Sequence, residues 1–469
     1  MDQSLHERLH LRLEQQRLAF NAERMPSYAV RRDRLRRLIA MTEQNAEALA
    51  AAMSRDFGHR ARQESLLTDV FTVGAGARHA LKHLRGWMAE KRVSTSLMYL
   101  PASNRLLPQP LGVVGIVAPW NYPYYLAMNP ALSALAAGNR VMIKPSELTP
   151  ETSALMARMV AEHFSPEEMT VVTGDAEVGR AFTELPFDHL FFTGSTQVGR
   201  LVAQAAARQL TPVTLELGGK SPAVIDKSAD IALTAERLAF GKLLNAGQTC
   251  VAPDYLLVPR SLVEPLTAAI LASMRKMYPT LDANPDYTGI VSPRHHARLH
   301  ALLEDAKAHG ARLLQSHEEQ PQSRKIVPTL VLDVNAEMAI MREEIFGPLL
   351  PVVAYDTLDQ AIAYVNQGER PLALYWFGSD KASQQQVLAH THAGGVTIND
   401  CIFHLGQEDQ PFGGVGASGI GACHGEWGFR TFSKLKPVFR QARFAGTKLL
   451  FPPYGATFER LLGLLKKLP

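Results

Sequence analysis

Between residues 112 and about 217, short apolar runs (GVVGIVAP, RVMIKP, MTVVTG, HLFFTG and PVTLEL) are separated by segments with helical spacing such as 126–138 and 151–163. Strand and helix alternating at this interval build a doubly wound parallel sheet, with helices covering both faces. A second alternation follows, with YLLVPR, VPTLVLDV, LLPVVAY, LALYWFG and GGVTIND as strands around helical stretches at 261–277, 295–309, 357–367 and 381–391. A second α/β domain is the simplest account. Before them, Leu5, Leu9, Leu13 and Phe20, then Leu35, Leu38, Ile39, Ala46, Leu49 and Met53, recur near helical spacing, so the first ninety residues read as helices. The Pro-punctuated segment 93–110 and the segment 429–441 fit neither alternation and are expected as strands of a small accessory unit used for association.

At 469 residues, two or three domains are expected. Apolar residues form 46% of the chain and charged residues 20%, ordinary globular usage that disfavours extensive disorder. The net charge of +4 is a small excess over many positions, so no nucleic acid partner is implied. The basic run Arg31, Arg32, Arg34, Arg36 and Arg37 contains Asp33 and an apolar stripe, and reads as a solvated helix face. The start, MDQSLHERLHLRLEQQ, lacks the apolar core of a secretory signal, and the longest apolar run, LGVVGIVAPW at 111–120, is broken by Gly and Pro. No transmembrane segment is expected. Three cysteines, Cys250, Cys401 and Cys423, fit a reducing, cytoplasmic setting better than a disulfide framework.

Several segments bear on chemistry. Gly414-Val415-Gly416-Ala417-Ser418-Gly419 matches G-x-G-x-x-G but opens no strand–turn–helix unit, so it is rejected as a phosphate loop. HLFFTG instead runs into Ser195, Thr196 and Gly199 at a helix start, where Gly194 permits a tight turn and free N–H groups suit a pyrophosphate. In Asn245-Ala246-Gly247-Gln248-Thr249-Cys250 a cysteine follows a Gly-containing turn; a buried inert thiol is the commoner meaning of such a segment. No CxxC or HExxH is present, and no metal site is expected. Glu216 ends an apolar strand before paired glycines, where a carboxylate must be satisfied or functional.

These segments converge on a family. APWNYP at 118–123, KPSE at 144–147, FTGST at 192–196, LELGGKSP at 215–222, GQTC at 247–250, EEIFGP at 343–348 and PFGG at 411–414 stand in the order seen in NAD(P)-dependent aldehyde dehydrogenases, which the chain resembles over nearly its whole length. The CVAPDY wording and GACHGEWGFRTFS at 421–433 resemble the class 3 branch, and NDCIFH…PFGGVGASGIG resembles its bacterial coniferyl aldehyde dehydrogenases. The resemblance implies an NAD(P)-binding domain at 1–92 and 111–214, a catalytic domain at 215–410, oligomerisation strands at 93–110 and 429–445 joining a homodimer, and a C-terminal tail at 446–469. It further implies Cys250 as nucleophile, Asn121 and the Cys250 N–H as oxyanion donors, and Glu216 as general base for thioester hydrolysis. Cofactor contacts carry over to Trp120, Lys144, Glu147, Gly194, Ser195, Gly199, Glu344 and Phe346. A carboxylate at Glu147 favours NAD, with NADP tolerated in this branch. Tyr122, Tyr125, Phe403 and His404 are expected to wall the substrate funnel, whose aromatic character suits a flat phenylpropenal such as coniferyl aldehyde or a long alkyl chain alike. A CoA-acylating relative is disfavoured by Glu216, which acyl transfer to CoA does not need. Thr457–Leu468 reads as a short amphipathic helix packing on its own or a partner subunit, and Cys401 and Cys423 as structural thiols.

Overall fold

The computed structural model describes residues 3–466. Two mostly parallel sheets form its frame. The first has six strands in the order Gly419–Ile420, Val213–Glu216, His189–Thr193, Val113–Val117, Arg140–Lys144 and Met169–Val171. The chain enters at Val113–Val117, winds outward one way, then returns to lay His189–Thr193 on the other side, which opens a crevice at the carboxyl ends of those two strands. The segments APWNYP, KPSE, FTGST and LELGGK therefore leave this sheet at a common edge.

The second sheet has seven strands in the order Arg312–Gln315, Thr329–Leu332, Leu349–Tyr355, Tyr255–Pro259, Pro222–Ile225, Ala373–Phe377 and Gly395–Ile398. Cys250, Glu344 and Leu372 each precede one of its strands. The carboxyl ends of the first sheet thus face amino ends of the second, and the site lies between them. Two of these strands are absent from the sequence reading. Pro222–Ile225 is only four residues long, and Arg312–Gln315 is a half-exposed antiparallel edge. The boundary expected at 214/215 falls inside Val213–Glu216, a strand of the first sheet. Gly419–Ile420, beyond the expected end of the catalytic domain at 410, also pairs with that sheet. A third sheet joins Lys91–Val93, Ser103–Pro110 and Ser433–Arg440, so the expected accessory strands are shorter than the segments 93–110 and 429–445, the latter opening inside the helix Gly425–Thr431.

Helix starts follow local chemistry. Ser195, Asp230, Ser292, Thr357 and Asp380 each cap a helix by accepting a backbone N–H, and Thr357 with Gln360 closes a capping box. The helix Tyr125–Ala137 is buried almost throughout and stops at Gly138, whose φ of 97° a side chain disfavours. The basic run departs from the sequence reading. Arg31 and Arg34 are buried, not solvated. Arg31 donates to the carbonyls of Pro26, Ala136 and Ala137, closing the end of Tyr125–Ala137. Arg34 and Arg37 clamp Glu168; burial pushes its carboxyl up, but their hydrogen bonds outweigh this and hold it at about 2. An isolated arginine pattern does not reveal that its partners arrive from 100 residues away. The tail forms the helix Ala456–Leu465 with no buried residue, so it packs on no part of its own chain deeply; Lys467 and Leu468 lie outside the described residues. Among the described residues no helix is long and apolar enough to cross a membrane.

Candidate active site

Cys250 stands after a backbone contortion. Asn245, Ala246 and Gly247 carry φ values of 54°, 52° and 75°, three left-handed residues in a row. Only buried hydrogen bonds hold such a turn against its intrinsic cost. Gln248 supplies them: Nε2 donates to Asn245 O and Gly289 O at 3.0 Å, and Oε1 accepts from Val291 N at 3.0 Å. Thr249 Oγ1 meets the Tyr122 hydroxyl at 2.6 Å. Gly247 is required, because a Cβ there would fall 2.3 Å from Gly347 O. Burial, then the charges of Glu344 and Glu216, push the Cys250 thiol up to about 12, while the N–H groups of Cys250 and Val251 favour its thiolate.

Asn121 approaches from the first sheet. Its Nδ2 donates to Gln248 O at 3.1 Å, and its own carbonyl is gripped by Arg60 and by Asn245 Nδ2 at 2.9 Å. Arg60 is in turn locked to Asp69 at 3.0 Å, with both side chains out of solvent. The amide is therefore fixed relative to Cys250 by a network reaching into the N-terminal helices. Sequence reasoning missed Arg60, Asp69 and Asn245; the Asn and Gln of NAGQTC were the available signal for the last.

Glu216 is 5% exposed, and neither carboxylate oxygen accepts a well-formed hydrogen bond. Burial raises its pKa well above the ordinary carboxylate range, and the weak thiol donor of Cys423 beside it offsets little. Such a group, once deprotonated, is a stronger base than an ordinary carboxylate.

Two chambers meet here. A cleft of about 220 Å³ is lined by Trp120, Asn121, Gly194, Ser195, Glu344 and Phe346, with His295 and Arg298, which the sequence did not suggest. A larger cavity of about 310 Å³ is lined by Tyr122, Tyr125 and Phe403 among many apolar groups. Leu126, Thr193, Glu216, Leu217 and Cys250 line both. A thiol and an unpartnered carboxyl thus sit where two separately shaped molecules would touch.

Local contacts fix the walls of the cleft. Gly218 lets the Glu344 carboxyl lie against the backbone, since a Cβ there would fall 2.2 Å from Glu344 Oε2. Burial first, then the Asp254 charge, raise Glu344 to about 8 despite the Gly219 N–H and the cations of Lys220 and Arg298. Lys220 pairs with Asp254, and Asp254 accepts from Ile345 N at 2.9 Å, which pins the loop bearing Glu344 and Phe346. Trp120 meets Phe346 edge-on at 5.3 Å. Ser195 caps the helix Thr196–Arg208, whose N-terminus opens on the cleft. Lys144 and Glu147 pair at 3.4 Å at the carboxyl end of the neighbouring strand, outside the cleft itself. Two expected contacts are corrected. Gly199 packs its helix on Leu217, where a Cβ would fall 2.6 Å from Cδ2, and lines neither chamber. His404 also lines neither; its Nδ1 bonds Thr397 Oγ1 at 2.8 Å and its ring lies against Tyr375 and Phe412. Phe403 is half exposed at the cavity rim, stacked on Phe240.

The sequence profile described as the aldehyde dehydrogenase family matches residues 7–438. The chain belongs to that family. The enzyme is thus an oxidoreductase acting on aldehydes. It is 49% identical over 447 residues to a probable coniferyl aldehyde dehydrogenase of Pseudomonas aeruginosa, covering 95% of this chain and 94% of that one. To the coniferyl aldehyde dehydrogenase of Pseudomonas sp. strain HR199 it is 48% identical, covering 93% and 92%. Among solved structures, the substrate-bound AldH of Staphylococcus aureus superposes with a TM-score of 0.93 at 37% identity, covering 97% and 99% of the two chains. The indole-3-acetaldehyde dehydrogenase AldA of P. syringae, solved with NAD+, gives 0.85 at 25% identity, covering 93% and 89%.

Proposed function

We propose that the enzyme oxidises coniferyl aldehyde, or an aldehyde as flat and aromatic, to its carboxylic acid with NAD, through a thiohemiacetal and a thioester on Cys250. The observation that carries this is the placing of Cys250 and the unpartnered Glu216 on the shared wall of the two chambers. The coniferyl aldehyde dehydrogenases at 46–49% identity support the substrate.

The resting thiol is neutral and attacks as its thiolate, its proton passing to the Glu216 carboxylate on the same wall and from there to solvent before deacylation. Sulfur bonds to the aldehyde carbon and the carbonyl electron pair moves to oxygen, which Asn121 Nδ2 and the Cys250 N–H hold. Asn121 keeps a second N–H for this after bonding Gln248 O. Donors aimed in advance at such a charge are typically worth about 3 kcal/mol each. Bound NAD supplies a hydride acceptor. When the oxyanion re-forms the carbonyl, the carbon–hydrogen bond breaks, the hydrogen leaves as hydride with the bonding pair, and Cys250 is left as a thioester. Glu216 then takes a proton from water, the water oxygen attacks the thioester carbon, and the carbon–sulfur bond breaks to release acid and thiolate. Glu344 and Phe346 would hold the nicotinamide ribose, Trp120 the nicotinamide side, Gly194 and Ser195 the pyrophosphate, and Lys144 with Glu147 the adenosine ribose. The half-exposed Glu147 carboxylate would repel a 2′-phosphate, which favours NAD over NADP. Association as a homodimer through the third sheet and operation in the cytoplasm complete the reading. The open edge at Ser433–Arg440 supports the first, and the three free cysteines support the second.

The test is NADH formation by purified enzyme across coniferyl aldehyde, benzaldehyde, long-chain alkanals and short alkanals, with NAD or NADP. Preference for coniferyl aldehyde is expected. Preference for long alkanals would replace the substrate, and turnover only with CoA present would overturn the role of Glu216.

A further inference from the structure

The larger cavity is apolar along most of its wall, through Phe71, Phe240, Ile402 and Phe412. Three polar side chains nevertheless open into it that the steps at Cys250 do not use. The Tyr125 hydroxyl lies 2.6 Å from His424 Nε2, and both residues are more than nine-tenths buried. Asn129 is 4% exposed and its Oδ1 has no hydrogen-bond partner.

None of the three reads as ordinary core. His424 is held at a φ of 75° and ψ of 140°, a conformation that non-glycine residues avoid and that surrounding structure must enforce. Burial keeps its imidazole pKa near 4, so at neutral pH it is an uncharged hydrogen-bonding group and no counter-ion is needed. Its ring is braced by Phe412 at 5.2 Å and by the Cys423 sulfur at 3.9 Å from Nδ1. A rigid imidazole thus fixes the Tyr125 hydroxyl in place. On the neighbouring turn of the same helix, Asn129 lines the chamber while its Oδ1 lies buried just behind the wall without a donor, which is unfavourable until the amide turns to a ligand that supplies one.

We propose that Tyr125, His424 and Asn129 form a specificity subsite for a hydroxyl group on the ring of an aromatic aldehyde. The Tyr125 hydroxyl, fixed by His424, shares a hydrogen bond with that group, and the Asn129 amide, turned toward the chamber, accepts a hydrogen bond from it through Oδ1. An alkyl tail or a bare ring leaves Asn129 unpartnered, and an ether in the same place offers no donor. This rests on the aromatic-aldehyde reading above and narrows it to hydroxylated rings.

The experiment compares kcat/KM of the wild-type enzyme for cinnamaldehyde, para-hydroxycinnamaldehyde and para-methoxycinnamaldehyde, and then repeats it in Asn129→Leu and Tyr125→Phe. The hydroxylated compound is expected to be preferred over the methoxylated one by about tenfold or more, the size expected when a site's buried polar groups are left unpaired. Each substitution should shrink that ratio severalfold, whatever it does to turnover as a whole. A wild-type ratio near one, or a ratio unmoved in both variants, overturns the subsite while leaving the aldehyde oxidation intact. The wild-type series needs no variant to fold. Absence of turnover on all three compounds overturns the aromatic reading and the subsite with it.

Discussion

Asp69 and Glu216 are both carboxylates shut away from solvent, and both serve the same few ångströms of chemistry. Asp69 is saturated: Arg60 at 3.0 Å, the N–H groups of Tyr124 and Tyr125 at 3.1 and 3.0 Å, and Thr68 Oγ1 at 3.3 Å. Glu216 has neither an ion pair nor a well-formed hydrogen bond. Burial raises both carboxyls, but at Asp69 the Arg60 charge and the N–H groups of Tyr124 and Tyr125 oppose the rise, whereas Glu216, with only the weak Cys423 thiol beside it, is pushed well above the ordinary range. The contrast separates a carboxylate used for position from one used for reactivity. Asp69 and Arg60 fix the loop bearing Asn121, whereas Glu216 is kept without partners so that water or substrate becomes its first.

Substitutions can break or sharpen that contrast. The largest effect is expected at their common target: Cys250→Ala should lower kcat by about 10⁴-fold or more with the unfolding midpoint nearly unchanged, as measured by NADH formation and thermal unfolding. Next, Asp69→Ala strands Arg60 as an unpaired buried cation and should cost about 3–5 kcal/mol in urea unfolding. If Glu216→Gln destabilises as much as Asp69→Ala, the two carboxylates are not different in kind.

Glu216→Gln should instead reduce steady-state turnover by about 10²–10⁴-fold while a burst of NADH survives, because the thiol proton can also leave to solvent directly, whereas deacylation needs the base. The same residue sets a pH dependence. A raised carboxyl pKa keeps the base protonated to higher pH than a free glutamate, so kcat should be low in acid and climb as pH passes through the raised value. The glutamine variant should lose that limb. Asn121→Ala, removing the amide that Asp69 and Arg60 position, should lower kcat by about 10²–10³-fold with a smaller change in KM. The smallest effect is at the cleft: Ser195→Ala should cost about 1 kcal/mol of stability through the lost helix cap and raise KM for NAD, and a KM left unchanged would place the helix start away from the cofactor.

Local periodicity made most of the frame legible. The helical stretch expected at 151–163 is Pro150–His163, that at 381–391 is Lys381–His390, and HLFFTG is the buried strand His189–Thr193, because spacing and capping act within a few residues. Pro222–Ile225 and Arg312–Gln315 were not legible, the first too short to show a period and the second half exposed at an edge. In the site, Cys250, Glu216, Trp120, Glu344 and Phe346 were named from motifs and lie together. Gly199 and His404 were named too, but they serve packing and a neighbouring threonine.

By itself, then, the sequence determined the elements, the two alternations and the reactive residue types, since each depends on neighbours along the chain. Only the tertiary structure decided how they are used. Which carboxylate is partnered, which arginines of the basic run are buried, and what stands behind Tyr125 all depend on residues that meet from afar: Asp69 with Tyr125 across 56 positions, Arg31 with Ala137 across 106, and Tyr125 with His424 across 299. Desolvation and hydrogen bonding are properties of that meeting, and the chemistry of Glu216 follows from the partners it does not have.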